Sequence, residues 1–406
     1  MIHYLCYCCA IFFALICLLL ATRLSAQAQT RKAYVSQSED KTTLTFYYDA
    51  LRSTRTGTTW GIEETKKEGD IPVPAWAGTS QEEDTTTARV VFDASFRDFR
   101  PTTTAKWFYC CEALKQIEGL EYLNTSEVKD MGYMFYDCKA LTSLDLKNFN
   151  TKNVTDMNSM FAKCEALTSL DLKSFNTQNV TDMSSMFDDC WALTSLDLKN
   201  FNTQNVTDMR KMFSDCRTLK SLDLKNFNTQ NVTDMSNMFF SCLALTSVDL
   251  QHFNTQNVTN MDGMFFSCEA LTSLDLQHFN TQNVTNMESM FYGCSALTSL
   301  DLKHFNTKKV TDMYEMFSGC SALTSLDLKN FDTQYVTDMR RMFSGCAALT
   351  TINSNTAWQC RESENMFAGC TKLKGAVAYD KNKVDAKMAN PETGYFTAKP
   401  TMVESR

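Results

Sequence analysis

Eight consecutive segments, each 26 residues long and nearly identical, run from Leu141 to the end of the copy holding Cys346. In the first copy, Leu141, Leu144, Leu146, Phe149, Val154, Met157, Met160, Phe161 and Cys164 recur at fixed phase in every later one, with Val248 the one replacement for Leu144. A fixed period of this length marks a chain whose units bury their apolar edges against one another, because one unit alone is too small for a core. Such a chain presents a long surface rather than a pocketed globule, which directs the functional question toward binding.

Within the repeat the hydrophobic period changes. Leu144 and Leu146 alternate with Ser143, Asp145 and Lys147, a strand pattern with one face inward. Val154, Met157, Met160 and Phe161 then fall at spacings of three, three and one, which predicts a short helical or 3₁₀ turn capped by Thr155 or Asp156. Strand, corner, helical turn and corner, stacked, predict an α/β solenoid. It is a right-handed superhelix of 26-residue repeats with a parallel sheet on one face and short helical turns on the other.

The domain boundaries follow from where the period starts and fails. Residues 1–28 form the leader and 29–87 an N-terminal cap with strands. Degenerate first repeats span 88–140, the regular repeats 141–348, a shortened last repeat 349–373, and a C-terminal cap and tail 374–406. In the leader, Tyr4 to Ala21 is apolar and Ala26-Gln27-Ala28 offers a small-residue cleavage site, which predicts export; a retained N-terminal membrane anchor is the alternative. The net charge of −8 is spread over the repeats with no basic patch, so nucleic acid is excluded as a partner.

Of 17 cysteines, nine recur at one repeat position from Cys138 to Cys346. Equivalent positions in stacked strands lie about 4.8 Å apart, farther than the about 3.8 Å a disulfide spans between Cβ atoms, so the column reads as reduced and buried. No Cys/His zinc spacing occurs, and no metal or other cofactor is expected.

The motif Leu-x-x-Leu-x-Leu-x-x-Phe-Asn-Thr-x-x-Val-Thr-Asp-Met-x-x-Met-Phe-x-x-Cys resembles the repeat of the BspA-like leucine-rich-repeat bacterial surface proteins, over roughly residues 88 to 396. The resemblance implies secreted or surface-displayed proteins that act as adhesins toward host proteins or other cells, without catalysis.

Three groups of residues are candidates for contact with a partner. The outward ladder consists of Asp145, Asp171, Asp197, Asp223, Asp249, Asp275, Asp301 and Asp327 with Lys147, Lys173, Lys199 and Lys225. Stacked carboxylates repel, so the lysines serve charge balance as readily as recognition. His252, His278 and His304 stand one repeat apart, where other copies have Asn or Ser. Phe240, Phe266 and Tyr292 form an outward-leaning aromatic column in the same region, where Gln251 and Gln277 also replace Lys; an exposed aromatic stripe of reduced charge has the character of an interface centre. Asn-Val-Thr recurs from Asn153 to Asn283, readable as a corner or as a glycan acceptor. No nucleophile elbow, phosphate loop or HExxH is present, and the three histidines outside the leader share one column, so no catalytic residues are assigned. The expected partner is a host-matrix or cell-surface protein, or a glycan, with a self-associating structural protein as the rival.

Overall fold

A computed structural model describes residues 30–398; the leader and its cleavage site lie outside the described residues. The N-terminal part opens with β1 (Lys32–Gln37), β2 (Thr43–Asp49), β3 (Thr59–Gly61), β4 (Thr65–Glu68) and β5 (Ile71–Pro74). β1 pairs antiparallel with both β2 and β3, and β4 with β5. β2 then pairs in parallel with β6 (Arg89–Phe92), which continues in parallel to β7 (Gln116–Glu118). The sheet order is β3-β1-β2-β6-β7. The leading hairpin therefore covers the open edge of the first repeat strand, which otherwise offers unpaired backbone groups to another chain. Alternation in β2 turns Leu44 and Phe46 inward, and Phe46 packs among Trp76, Phe92, Phe96 and Trp107.

In the repeats, strand structure is sparse. β8 (Ser221–Leu222) pairs in parallel with β9 (Ser247–Val248), and β10 (Ser325–Asp327) with β11 (Thr351–Asn353) and β12 (Phe396–Thr397). In the other copies the Leu-x-Leu segment forms no named strand. The regular parallel ladder lies elsewhere, in single bridges linking Asp130, Asp156, Asp182, Asp208, Asp234, Asn260, Asn286, Asp312, Asp338 and Glu362 in turn.

The expected helical turns are not helices. Among the described residues there is no α-helix, and the 3₁₀ segments lie outside the Val-Thr-Asp-Met-x-x-Met-Phe stretch. That stretch is a chain of four-residue turns, closed by Met160 N–H to Met157 O at 3.2 Å and by Cys164 N–H to Phe161 O at 3.2 Å. The third residue of each turn is left-handed, Ser159 at φ 52° and Lys163 at φ 59°, as a type II turn requires. Gly takes that position at Gly293, Gly319, Gly345 and Gly369, where a Cβ added to Gly319 would come within 3.3 Å of the Gly293 Cα. The intervening N–H groups reach the next copy instead: Met157 to Asp182 O, Ser159 to Ser184 O, Phe161 to Met186 O and Lys163 to Asp188 O, at 2.7–3.1 Å. A run of turns also repeats every three residues, so apolar spacing alone does not separate it from a helix.

The core follows the sequence columns. Leu141, Val154, Met157, Met160, Phe161 and Cys164 are fully buried, and Phe149 is nearly so, while Leu144 is half-buried. Phe135, Phe161, Phe187, Phe213, Phe239, Phe265, Phe291, Phe317, Phe343 and Phe367 stack at ring separations of 5.5–5.9 Å. A buried Phe removes about 2–3 kcal/mol of exposed apolar surface before entropy is counted, and here each ring is covered by its neighbours in the stack.

Candidate interaction face

The outward ladder forms because each of its aspartates closes a turn. Asp145 Oδ1 accepts from Lys147 N–H at 3.3 Å, and the bond recurs at every copy through Asp327, at 3.0–3.4 Å. An Asx turn of this kind favours Asp or Asn for its short acceptor. Asp145, Asp171, Asp197, Asp223, Asp275 and Asp301 are exposed, whereas Asp249 and Asp327 are half-buried. The lysines fold back on their own copy: Lys147 pairs with Asp145 at 2.7 Å, Lys173 with Asp171 at 3.7 Å, Lys225 with Asp223 at 3.1 Å and Lys303 with Asp301 at 2.9 Å. Lys199 is exposed and makes no such pair with Asp197. The ammonium hydrogen bond from Lys147 holds the Asp145 carboxyl below its ordinary range, and Lys225 and Lys303 do the same for Asp223 and Asp301. These pairs neutralise four of the eight aspartates within their own copy.

The neutralisation stops in the middle of the array. Gln251 and Gln277 meet Asp249 and Asp275 through amide hydrogen bonds at 3.3 and 3.1 Å, leaving both carboxylates without an ion pair. At the next position Asn200, Asn226 and Asn330 each donate to a carbonyl of the preceding copy at 2.7–3.0 Å. His252, His278 and His304 make no such bond and are exposed. On the turn segment of these copies Phe240, Phe266 and Tyr292 stack at 4.4 Å with interplanar angles of 11° and 8°. The column is half-buried and its rings cover one another, so it offers ring edges rather than open faces.

The remaining polar columns are spent on stacking. Asn153 Nδ2 donates to Ser126 O at 2.7 Å, and Asn179, Asn205, Asn231, Asn257 and Asn283 repeat the bond one copy on. The Asn-Val-Thr triplets are corners whose amide nitrogen is already engaged. The buried Thr of Phe-Asn-Thr was not singled out by sequence: Thr151 Oγ1 donates to Asn176 O at 2.9 Å and accepts from Asn176 N–H at 2.7 Å. The only signal for it is its invariance across copies. Asp156 Oδ1 accepts from Asn158 N–H at 2.8 Å, so the expected cap is real but opens a turn.

Among the described residues the cysteines are free and, apart from the half-buried Cys360, buried, with Cys164 Sγ donating to Phe135 O at 3.2 Å and the same bond recurring along the column. Burial pushes the Cys242 and Cys294 thiols up to about 12. Among the described residues, two groups of carboxylates have metal-ligand proximity, Glu83–Glu112–Asp137 and Asp188–Asp189–Asp215, and neither includes the histidine column. No helix among the described residues is long and apolar enough to cross a membrane.

The chain is similar to a leucine-rich repeat protein from Bacteroides ovatus ATCC 8483, at 19% identity over 91% of this chain and 98% of that one, with a TM-score of 0.44. It is also similar to one from Eubacterium ventriosum ATCC 27560, at 18% identity over 92% and 96%, with a TM-score of 0.38. A Treponema pallidum leucine-rich repeat protein matches at 18% identity over 67% and 90%, with a TM-score of 0.20. Overlays this loose carry no argument by themselves. No curated protein matches the chain. The family described as "Mycoplasma protein of unknown function, DUF285" matches residues 102–221, 187–297 and 266–380, which together span most of the chain. With the stacked Leu-x-x-Leu-x-Leu repeat in place, the chain belongs to this family of BspA-like leucine-rich-repeat proteins.

Proposed function

We propose that the protein is exported and acts without catalysis as an adhesin-like binding scaffold, engaging a host-matrix or cell-surface protein through the ladder face of the copies between Leu219 and Leu323. The observation that carries this reading is the local change in the ladder. Asp145, Asp171, Asp223 and Asp301 are matched by lysines of the same copy, whereas Asp249 and Asp275 have glutamine in place of that lysine, beside His252 and His278. Uncompensated carboxylates on a regular, rigid face favour a partner with complementary basic groups. The Phe240–Phe266–Tyr292 stack lies in the same copies and adds apolar edge to that stretch. A protein partner is favoured over a glycan because sugar stacking needs open ring faces, and these rings cover each other.

The repeats wind as a right-handed solenoid in this reading, and the apolar leader directs export, with a retained anchor as its alternative. A structural, self-associating role is the second reading. It is favoured by the number of polar columns, Asn153, Thr151 and Asp156 among them, that are consumed in holding copies together. The test is binding of purified Gln29–Arg406 to arrayed host matrix proteins and glycans at physiological salt. A saturable protein hit supports the scaffold; no hit together with concentration-dependent assembly supports the structural reading. Fractionation of the producing cells with N-terminal sequencing of the mature chain tests export.

A further inference from the structure

Three carboxylates from separate parts of the chain meet where the leading segment crosses the first degenerate copies. Glu83 precedes β6, Glu112 ends the first eroded copy and Asp137 sits in the next, with one oxygen of each within 4.8 Å of the others. Asp137 is only 6% exposed at its side chain, and its Oδ1 is buried without a hydrogen-bond partner. The cation nearest that oxygen is Lys139, whose ammonium hydrogen-bonds Glu112 Oε1 and stands 3.5 Å from Asp137 Oδ1. That oxygen has an ammonium beside it but no donor in hydrogen-bond geometry. Two ammoniums bear on Asp137, Lys139 by contact and Lys163 by its charge, and the Cys110 thiol hydrogen-bonds its carboxyl. Lys163 is engaged by Tyr136 as well as by the Asp137 charge, while Glu165 adds further negative potential.

We propose that Glu83, Glu112 and Asp137 form a divalent-cation site of the oxygen-ligand class, suited to Ca²⁺, in which the ion takes the place of the Lys139 ammonium. Carboxylate-only donors select hard cations, and Ca²⁺ bonds of about 2.3–2.6 Å allow ligand oxygens up to about 5 Å apart across the ion, wider than Mg²⁺ permits. A buried polar atom without a partner calls for such a group, since native structures leave few of them. The ion would tie Glu83 of the leading segment to two successive copies and so fasten the N-terminal cover to the stack. Lys139 acts as a tethered monovalent substitute when the ion is absent.

The experiment is Tb³⁺ luminescence of Gln29–Arg406 excited through tyrosine, with Ca²⁺ as competitor. Tyr136, the chain neighbour of Asp137, stacks with Tyr109 at 5.1 Å, and the two supply the sensitising rings. The expected result is saturable emission displaced by Ca²⁺ and not by equal Mg²⁺, weakened about tenfold or more by Asp137→Asn and by Glu83→Gln. Asp215→Asn, in the second carboxylate group, should leave it unchanged. Lys139→Met removes the competing ammonium and should tighten binding. Emission indifferent to both Glu83→Gln and Asp137→Asn overturns the site. So does a Lys139→Met variant that loses stability without gaining affinity, because the carboxylates would then be only the lysine's counter-charge. Should Asp137→Asn fail to fold, the exposed Glu83→Gln carries the test alone.

Discussion

Two columns of aspartate run along this molecule, and they do opposite things with the same chemistry. In both, Oδ1 accepts the backbone N–H two residues on. In the column from Asp130 to Asp338 those bonds are 2.8–3.1 Å, the residues are half-buried, and each bridges to the next copy. In the column from Asp145 to Asp327 the bonds lengthen to 3.0–3.4 Å and most carboxylates face water, matched by a lysine of the same copy in several repeats. Burial raises the Asp156, Asp208 and Asp312 carboxyls above their ordinary range, while the lysine hydrogen bonds lower those of Asp145, Asp223 and Asp301. One column holds the stack together and the other coats it, so only the second is free to change for recognition.

The strongest way to break this contrast is to remove both sets of acceptors. Asp182→Ala, Asp208→Ala and Asp234→Ala combined should destabilise by about 1 kcal/mol per position, because each leaves a turn N–H without its partner. Asp171→Ala, Asp197→Ala and Asp223→Ala combined should leave the urea midpoint nearly unchanged. Equal shifts for the two triples would erase the distinction.

A second, smaller effect sharpens it through pH. A carboxyl whose folded pKa exceeds the unfolded value near 3.8 takes up its proton first in the folded state. Its contribution to stability therefore rises as pH falls from neutral through the raised folded value, and is complete below 3.8. The exposed column has the reverse sign, present above 3.8 and lost as pH falls through the lowered folded values. Asp156→Asn, Asp208→Asn and Asp312→Asn combined should reduce the acid-side gain in Tm between neutral pH and about pH 4. At neutral pH they should be tolerated, since Asn260 and Asn286 make the same turn bond at 3.1 and 2.8 Å. The smallest effect belongs to the surface pairs. Replacing Lys147, Lys173 and Lys225 by Gln should leave thermal melts almost unmoved, as exposed pairs are screened by water and salt.

The period made the core legible. Leu141, Met157, Met160, Phe161 and Cys164 are buried as their recurrence requires. Secondary structure was less so, because turns closed every three residues put apolar side chains at the spacing of a helix and only the left-handed Ser159 and Lys163 separate the two. The Leu-x-Leu alternation does mark an inward face, but the continuous bridges run through Asp156, whose half-buried state no local pattern announces. Nothing in the hydrophobic spacing marks Thr151, whose hydroxyl bonds both ways to the next copy. Phe240, Phe266 and Tyr292 do align as a column, as their spacing requires, though ring-on-ring stacking hides the faces that exposure would have offered. Glu83, Glu112 and Asp137 fall in irregular copies, where no period brings them together.

The central claim is that recognition resides where the exposed column loses its lysines. It is tested by comparing binding of wild-type Gln29–Arg406 with Asp249→Lys/Asp275→Lys and with Asp145→Lys/Asp171→Lys, using the strongest arrayed protein ligand. The account predicts that reversal at Asp249 and Asp275 abolishes saturable binding, while reversal at Asp145 and Asp171 leaves it within about twofold, with both variants folded and secreted. Equal loss from the two pairs, or no loss from either, would contradict it.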